Sequence, residues 1–283
     1  MLVKKLFVGV DGGATKCTVR LEDEAGTLMG LVTSGPANIR LSVEQAWQSI
    51  QSALNKLLAQ YEGQFEIHAG MGLAGCEIQQ AKQIFVNHPH PFSKLNVVSD
   101  AYTACLGAHG GQDGAIIIIG TGVVGLKCQQ GQTVKVGGWG FPIDDLGSGA
   151  WLGLEAVKVT LQNMDGRLPA SGLAEAVHAH FQNDHDRLMA WANAAHSTQF
   201  AELAPVVIAE SERQDATAIQ LLQRAAQEIE RVADALHLDD LPCSLIGGVA
   251  PFIEPHLSAS LRARLRPVMA TPEVGAIYLA RQY

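Results

Sequence analysis

The sequence predicts an α/β fold of two similar units, and two observations support that prediction. A strand, a glycine-rich turn and a second strand occur at residues 6–21, and the same pattern recurs around Gly120–Gly122. Segments with helical periodicity follow both strand pairs, so the chain alternates between strands and helices. An internal repeat of this kind predicts two α/β units of related architecture with a cleft between them.

The first unit is expected to begin with a β-meander that leads into a helix. Ser42 and Gln45 form a capping-box signature, and apolar residues recur at helical spacing after them as far as Tyr61. β-Branched and aromatic runs bounded by glycine turns predict strands at residues 6–10, 17–21, 28–32, 65–71 and 96–98.

The second unit is expected to repeat the meander and then to be mainly helical. Strands are predicted at residues 115–128, 133–137 and 243–249, and helices at residues 150–161, 171–182, 185–195 and 214–236. The glycine-rich connector 107–114 is the expected boundary and hinge between a first domain, 1–109, and a second, 110–271. A final helix, 272–283, is expected to pack back on the first domain.

Composition and charge exclude several classes of protein. The 283 residues are 47% hydrophobic and 17% charged, which is typical of neither a disordered chain nor a coiled coil. The formal net charge of −8 argues against general binding to nucleic acid, although backbone amides could still hold a small anion. We expect no membrane segment and no signal peptide, because no apolar run reaches about 18 residues.

The five cysteines are widely spaced and form no Cys-x-x-Cys pair. Reduced thiols in a cytoplasmic protein are the simplest interpretation, and a zinc or iron–sulfur site within this chain is not expected.

The turn after the first strand has the residues of a phosphate-binding loop. Gly12 and Gly13 would let backbone amides approach an anion, and Thr15 and Lys16 add a hydroxyl and a positive charge. Asp11, at the end of the strand, could hold Mg²⁺ through water. The same residues would also suit an ordinary hairpin turn that binds nothing.

A second glycine turn, Gly120-Thr121-Gly122, repeats the device without the carboxylate. Two such turns could bind a polyphosphate from both sides. The presence of both strengthens the phosphate-binding interpretation of each. Neither is a Walker A loop, because Gly-x-x-x-x-Gly-Lys-Ser/Thr occurs nowhere in the chain.

Six motifs in order give the chain a resemblance to a known family. They are residues 8–16 (VGVDGGATK), 35–38 (GPAN), 72–75 (GLAG), 98–100 (VSD), 119–122 (IGTG) and 137–149 (GGWG through DLGSG). In these the chain resembles the N-acetylglucosamine kinase, or BadF/BadG-type, branch of the acetate-kinase/sugar-kinase/Hsp70/actin superfamily. The resemblance implies two ribonuclease-H-like (actin-like ATPase) domains, and ATP and Mg²⁺ as cofactors.

The resemblance also implies roles for individual residues. Asp100 matches the aspartate that takes the proton from the attacking hydroxyl. The predicted nucleotide contacts are Asp11, Gly12, Gly13, Thr15, Lys16, Gly120, Thr121, Gly122, Gly247 and Gly248. The predicted sugar contacts are Asn38, Ala74, Gly75, Asp100 and Asp145. Leu146 departs from the family pattern, in which an acid usually follows the second sugar-binding aspartate, and Asp144 precedes it instead.

Three features admit a purely structural interpretation. Ser99 or Asp100 could simply cap the helix that follows. His88-Pro-His90 is interpreted as a solvated loop rather than a metal site. Trp139 and Trp151 could stack on a sugar or could equally belong to the core.

The expected activity is transfer of the γ-phosphoryl group of ATP to an amino sugar, giving the 6-phosphate. N-acetylglucosamine is the first acceptor and glucosamine the second. The alternatives are an ATPase activator subunit, which would need cluster-binding cysteines, and a sugar sensor, which would usually carry a helix-turn-helix before the first strand. A homodimer is frequent among similar kinases, but nothing in the residues demonstrates an interface.

Overall fold

The computed structural model describes residues 4–282, so Tyr283 of the expected final helix and the first three residues lie outside the described range. Nine strands run through this range: β1 Lys4–Gly12, β2 Cys17–Asp23, β3 Leu28–Ser34, β4 Phe65–Leu73, β5 Lys94–Val98, β6 Gly114–Ile119, β7 Val123–Gln129, β8 Gln132–Gly137 and β9 Cys243–Ile246. The helices within it are α1 Val43–Leu58, α2 Gln79–Val86, α3 Asp100–Ala108, α4 Gly149–Met164, α5 Gly172–His180, α6 His185–Ala194, α7 Ser197–Ala201, α8 Ala204–Glu212, α9 Ala216–Ala235, α10 Ala250–Ile253, α11 Ala259–Arg264 and α12 Pro272–Arg281.

The first sheet has the strand order β3-β2-β1-β4-β5. β1, β2 and β3 are antiparallel neighbours, as the predicted meander requires, whereas β4 and β5 run parallel to β1. Helix α1 begins where the sequence predicts, because the Ser42 hydroxyl accepts a hydrogen bond from the backbone N–H of Gln45 at 3.1 Å. Trp47 anchors this helix, since its ring stacks on Phe85 at 4.3 Å and its indole N–H donates to the Phe85 carbonyl.

Helix α12 packs on β1, β4 and α3 through glycines, which let its backbone come close to the sheet. A Cβ at Gly9 would overlap with the carbonyl oxygen of Glu273, and a Cβ at Gly70 would overlap with that of Ala276. The helix backbone therefore lies directly on the two central strands. This packing places the first turn of α12 beside the last residues of β1.

The second sheet has the order β8-β7-β6-β9, and β9 runs parallel to β6. In both sheets the first strand lies between its hairpin partner and a parallel strand that comes later in the chain. The predicted internal repeat is therefore present in the topology. The core of this unit is formed by buried residues of β6, α4, α5, α8 and α9, among them Ile117, Leu152 and Ile229.

The chain divides into two compact units. The first comprises residues up to Gly114, Lys127–Thr133 and the stretch from Pro267, and the second comprises Ala115–Leu126 and Val134–Arg266. In this division the 127–133 hairpin belongs to the first unit. A boundary drawn only at the 107–114 connector would place that hairpin in the second unit.

The structure shows how the aromatic side chains that the sequence singled out are packed. The rings of His88 and His90 stack against Trp47, with centroids 5.3 and 6.1 Å away, so one side of this loop is covered by aromatic packing while Pro89 is exposed. Trp151 is buried and belongs to the core, whereas Trp139 is one of the most exposed side chains among the described residues.

We predict that Gly70→Ala lowers the free energy of unfolding by about 1–3 kcal/mol, because the added methyl must push α12 away from β4. Urea unfolding followed by circular dichroism measures the change. Gly13→Ala is the control, since a Cβ there would stand 3.5 Å from its nearest neighbour. Equal stability of the Gly70→Ala variant and the unaltered protein would contradict the packing described here.

Candidate functional site

The carboxyl ends of three parallel strands bring the predicted residues of the first unit to one edge of its sheet. Asp11 in β1 lies opposite Gly72 in β4, and Gly72 lies opposite Val98 in β5. The residues that follow these strands must therefore share that edge, which is where open α/β sheets bind their ligands. Asp100, two residues beyond Val98, is one of them.

Backbone hydrogen bonds fasten the three loops at this edge together. Gly13 donates its N–H to the Lys16 carbonyl at 2.9 Å, which closes the glycine turn. Ala37 donates to the Gly13 carbonyl at 2.9 Å, and Ala74 donates to the Gly12 carbonyl at 2.8 Å. The glycine turn is thus held between the loop that contains Asn38 and the loop that contains Ala74 and Gly75.

Asn38 and Gly75 are packed against each other. The Asn38 side-chain oxygen accepts the backbone N–H of Arg40 at 3.0 Å. A Cβ at Gly75 would stand only 2.9 Å from that oxygen, and Gly75 also has a φ of +84°, a conformation that favours glycine. The structure therefore brings together the predicted sugar contacts Asn38, Ala74 and Gly75.

Asp100 opens helix α3, but it does not cap it. The N-cap is Ser99, whose hydroxyl accepts the Tyr102 N–H at 3.3 Å. One carboxylate oxygen of Asp100 accepts the N–H of Ala101 at 2.8 Å, so the charge lies at the positive end of the α3 dipole. Of the two candidate caps, Ser99 is therefore the N-cap, and Asp100 is the first residue of the helix.

Asp11 is a carboxyl group with a raised pKa at this edge. Burial, and after it the nearby carboxylates of Glu273 and Asp100, raise the pKa of Asp11 to about 6, while Lys16 opposes them. Sequence reasoning missed Glu273, a buried residue in the first turn of α12 whose carboxylate accepts the Thr271 hydroxyl at 2.6 Å. Thr271-Pro272-Glu273 has the pattern of a helix start, but only the fold brings it to β1.

In the second unit, the Gly120–Gly122 turn is fastened to the start of helix α4. Gly120 donates its N–H to the Gly122 carbonyl at 2.9 Å and accepts the N–H of Gly149 at 2.8 Å. Ala150 donates to the Thr121 carbonyl at 3.2 Å, which leaves the exposed Thr121 side chain facing outward.

Gly247 and Gly248 lie against the first end of that turn. A Cβ at Gly247 would overlap with the carbonyl oxygen of Ile119, and the φ of +113° also favours glycine there. Val249 donates its N–H to the same Ile119 carbonyl at 3.2 Å. Gly248 is exposed and has open space around it, so a flat ligand could approach its backbone closely.

Asp145 lies at the other end of the turn. Its side-chain oxygen accepts the Val123 N–H at 2.9 Å, and a Cβ at Gly122 would stand 2.8 Å from the carboxylate. Asp145 is buried and adopts a φ of +64°, an unusual conformation for a non-glycine residue that is often found at functional sites. Together with Gly247, it places the predicted nucleotide and sugar residues of this unit around one loop.

A resident metal cage is not part of this site. Within residues 4–282, no group of three or more His, Cys, Asp or Glu side chains is arranged to hold a metal ion. A single carboxylate such as Asp11 suits Mg²⁺, which typically takes one or two carboxylates and completes its shell with water and phosphate oxygens.

No described helix is long and apolar enough to cross a bilayer.

Comparison with known proteins gives concordant matches over most of the chain. The model of the BadF/BadG/BcrA/BcrD ATPase family matches residues 8–250. The glucosamine kinase of Vibrio cholerae serotype O1 is 36% identical over 279 residues, covering 97% of this chain and 95% of that protein. A kinase for N-acetylmuramic acid and N-acetylglucosamine from Clostridium acetobutylicum is 29% identical over 58% of this chain and 56% of its own.

Among solved structures, a protein of Chromobacterium violaceum with a provisional N-acetylglucosamine kinase assignment superposes with a TM-score of 0.84. It is 34% identical, and the match covers 99% of both chains. A Thermus thermophilus ROK hexokinase, at 16% identity and a TM-score of 0.57, shares the two-domain actin-like fold. The resemblance inferred from the six motifs is confirmed: the chain belongs to the BadF/BadG/BcrA/BcrD ATPase family.

Proposed function

We propose that this protein is an ATP-dependent kinase that phosphorylates the 6-hydroxyl of an amino sugar. The observation that carries the proposal is the shared sheet edge of the first unit. There a phosphate-type glycine turn is hydrogen-bonded to the polar loop with Asn38. Asp100, a carboxylate at a helix start, lies near enough to Asp11 of that turn to raise its pKa. These are the parts that phosphoryl transfer to an alcohol requires.

Two acceptors are proposed, because the relatives carry the names of kinases for glucosamine and for N-acetylglucosamine. The two sugars differ by one acetyl group. A pocket that discriminates between them has to read either a free ammonium or a neutral amide.

The two glycine turns are proposed to bind the phosphates of ATP. In the first turn, the backbone amides of Gly12 and Gly13 would bind phosphate oxygens together with the Thr15 hydroxyl and the Lys16 ammonium. In the second turn, Thr121 and the flanking glycines would bind them. Gly247 and Gly248 would contact the adenosine. Donors fixed by the fold stabilise charge without having to reorganise during the reaction.

Mg²⁺ would be held by Asp11 and would neutralise charge on the phosphates when bound. The site fits such an ion, since Asp11 faces two other carboxylates and their repulsion is relieved by a nearby cation. The proposed ligand is the Asp11 carboxylate, and no further protein ligand is proposed.

Asp100 is proposed as the base that accepts the proton of the sugar hydroxyl. The hydrogen bond from Ala101 holds the carboxylate in place at the start of α3. Phosphoryl transfer proceeds through a loose transition state, so Asp100 acts mainly by positioning the hydroxyl and by taking the proton late.

Asn38 and the Ala74–Gly75 loop are proposed to bind hydroxyls of the acceptor. Asp145 remains a proposed acceptor ligand as well. Its bond to the Val123 N–H gives it a second role, because it fixes the end of the phosphate turn.

The activator alternative is weakened by the cysteines. All five are buried and none forms a disulfide, which leaves no cysteine at the surface to share a cluster with a second chain. Free thiols also fit the proposed cytoplasmic location, where disulfides are rare.

A coupled assay with ATP, Mg²⁺ and a panel of sugars tests the proposed function. We expect ADP formation that depends on glucosamine or N-acetylglucosamine, with little turnover when no acceptor is present. Hydrolysis that ignores the acceptor would instead indicate an activator, and sugar binding without turnover would indicate a sensor; either result contradicts the proposal.

We predict that Asp100→Asn lowers kcat by about 10²–10⁴-fold, because the hydroxyl loses its proton acceptor. The Kd for ATP should change by less than about threefold, since Asp100 is not among the proposed phosphate contacts. Asp186→Asn, on the exposed face of α6, is the matched control. An Asp100→Asn enzyme with nearly full turnover would show that another group is the base.

A further inference from the structure

A cavity of about 370 Å³ lies within the second unit, between helices α4 and α9 and the loop that follows α4. Val159, Leu168 and Leu221 give it an apolar wall, and Gln162 and Thr217 add polar groups. A cavity of this size can enclose a small organic molecule. None of the residues that line it is among the proposed contacts for ATP or for the sugar.

Two cationic side chains converge on one buried carboxylate in this cavity. Glu155 pairs with the Lys158 ammonium at 2.7 Å and with the Arg224 guanidinium at 2.9 Å. The Glu155 side chain is only 11% exposed, whereas each cationic side chain is 52% exposed. Asp215, at the cap of α9, is engaged elsewhere, because its carboxylate accepts the backbone N–H of Ala218 at 2.8 Å. One carboxylate offsets only one of the two positive charges, so the three paired side chains carry a net positive charge.

The guanidinium of Arg224 is held on two sides. Its carbon lies 5.1 Å from the centroid of the Trp151 ring, and one of its nitrogen atoms pairs with Glu155. A guanidinium has five N–H donors, so it can bind a carboxylate on one edge and a second anion on another. Because the planar group is already held in place, it loses little conformational freedom when an anion binds.

We propose that this cavity binds a small organic anion, whose phosphate or carboxylate group contacts Lys158 and Arg224. A guanidinium suits both groups because its fork matches their oxygen atoms, and an ammonium adds a point charge. The apolar wall would pack against the body of the molecule, and the polar groups would orient it. This inference is independent of the proposed function, because the cavity contains none of the residues assigned to phosphoryl transfer.

Trp151 provides a reporter for this site. An anion that draws Arg224 away from Glu155 alters the position of the cation over the indole ring. Trp151 lies in the first turn of α4, directly after Ala150, whose N–H is donated to the Thr121 carbonyl at 3.2 Å. Its emission must therefore be recorded with the phosphate turn in a constant state.

Calorimetry on the full chain tests the inference with three probes: inorganic phosphate, glycerol 3-phosphate and succinate. Mg²⁺ and a non-hydrolysable ATP analogue are kept at saturation, so that the proposed phosphate turns do not compete for the probes. Glycerol 3-phosphate or succinate should bind, and the tighter of the two identifies the group that the cations recognise. Lys158→Gln and Arg224→Gln should each raise the Kd by about 10- to 100-fold.

Arg213→Gln is the matched control, because Arg213 forms the same kind of pair with a buried carboxylate, Glu210, at 2.6 Å and does not line the cavity. It should leave the Kd of each probe within about twofold. Arg224→Lys is a second variant that keeps the charge beside Glu155 and loses the fork, so it should also weaken binding. Circular dichroism shows whether each variant is folded.

Fluorescence gives a second readout under the same conditions. Titration of the probe that binds should change the tryptophan emission. The change should be absent in Trp151→Phe, which keeps a flat ring beside Arg224 and should still bind the probe.

Three outcomes would overturn the inference: no binding of any probe, a Kd that Lys158→Gln and the Arg224 variants leave unchanged, or an equal loss of binding in Arg213→Gln. An emission change that persists in Trp151→Phe would also overturn the assignment to this cavity. A protein that phosphorylates no amino sugar would contradict the proposed function alone, since the effect of these variants on anion binding does not depend on turnover.

Discussion

The desolvated carboxylate at the end of β1 is the constraint on which the site depends. Asp11 is held at a crowded edge where Glu273 and Asp100 also present negative charge. Such an arrangement is unfavourable in isolation, because burial and like charges both oppose ionisation. Interactions elsewhere in the fold offset the cost of placing these carboxylates close together. Such an arrangement is typical of a site that binds a cation.

The elements that maintain this edge are distant from one another in the sequence. β1 and β4 set the register that places Asp11 beside Gly72, and α12 returns from the end of the chain to lie on both strands. Glycines at the contact allow helix backbone and strand backbone to approach closely. The same packing that stabilises the first unit therefore also brings Glu273 to the site.

The sequence predicted much of the fold because its signals are local. Glycine turns, β-branched runs and the Ser42 cap lie within a few residues of the elements that they specify, and those elements are found close to the predicted bounds. The repeat of the glycine turn predicted the second sheet. Helices α2, α7, α8, α10 and α11 were missed, since they are short and their apolar patterns show little period.

The site was less accessible to sequence reasoning, for two physical reasons. Glu273 is brought to Asp11 by a long-range contact that no local pattern encodes. Trp139 and Trp151 both lie close to Asp145 in the sequence, but one is exposed and the other buried, which depends on tertiary packing. Likewise, the bond from the Val123 N–H to Asp145 joins residues more than twenty positions apart.

Proton release on nucleotide binding tests the central claim most directly. With a pKa of about 6, Asp11 is about half protonated at pH 6 in the free protein, and a bound cation should force it to ionise. Calorimetry in buffers of different ionisation enthalpy should show about half a proton more released at pH 6 by the unaltered protein than by Asp11→Asn when Mg²⁺·ATP binds. The difference should disappear at pH 8. Equal proton release by both proteins at pH 6 would contradict the account.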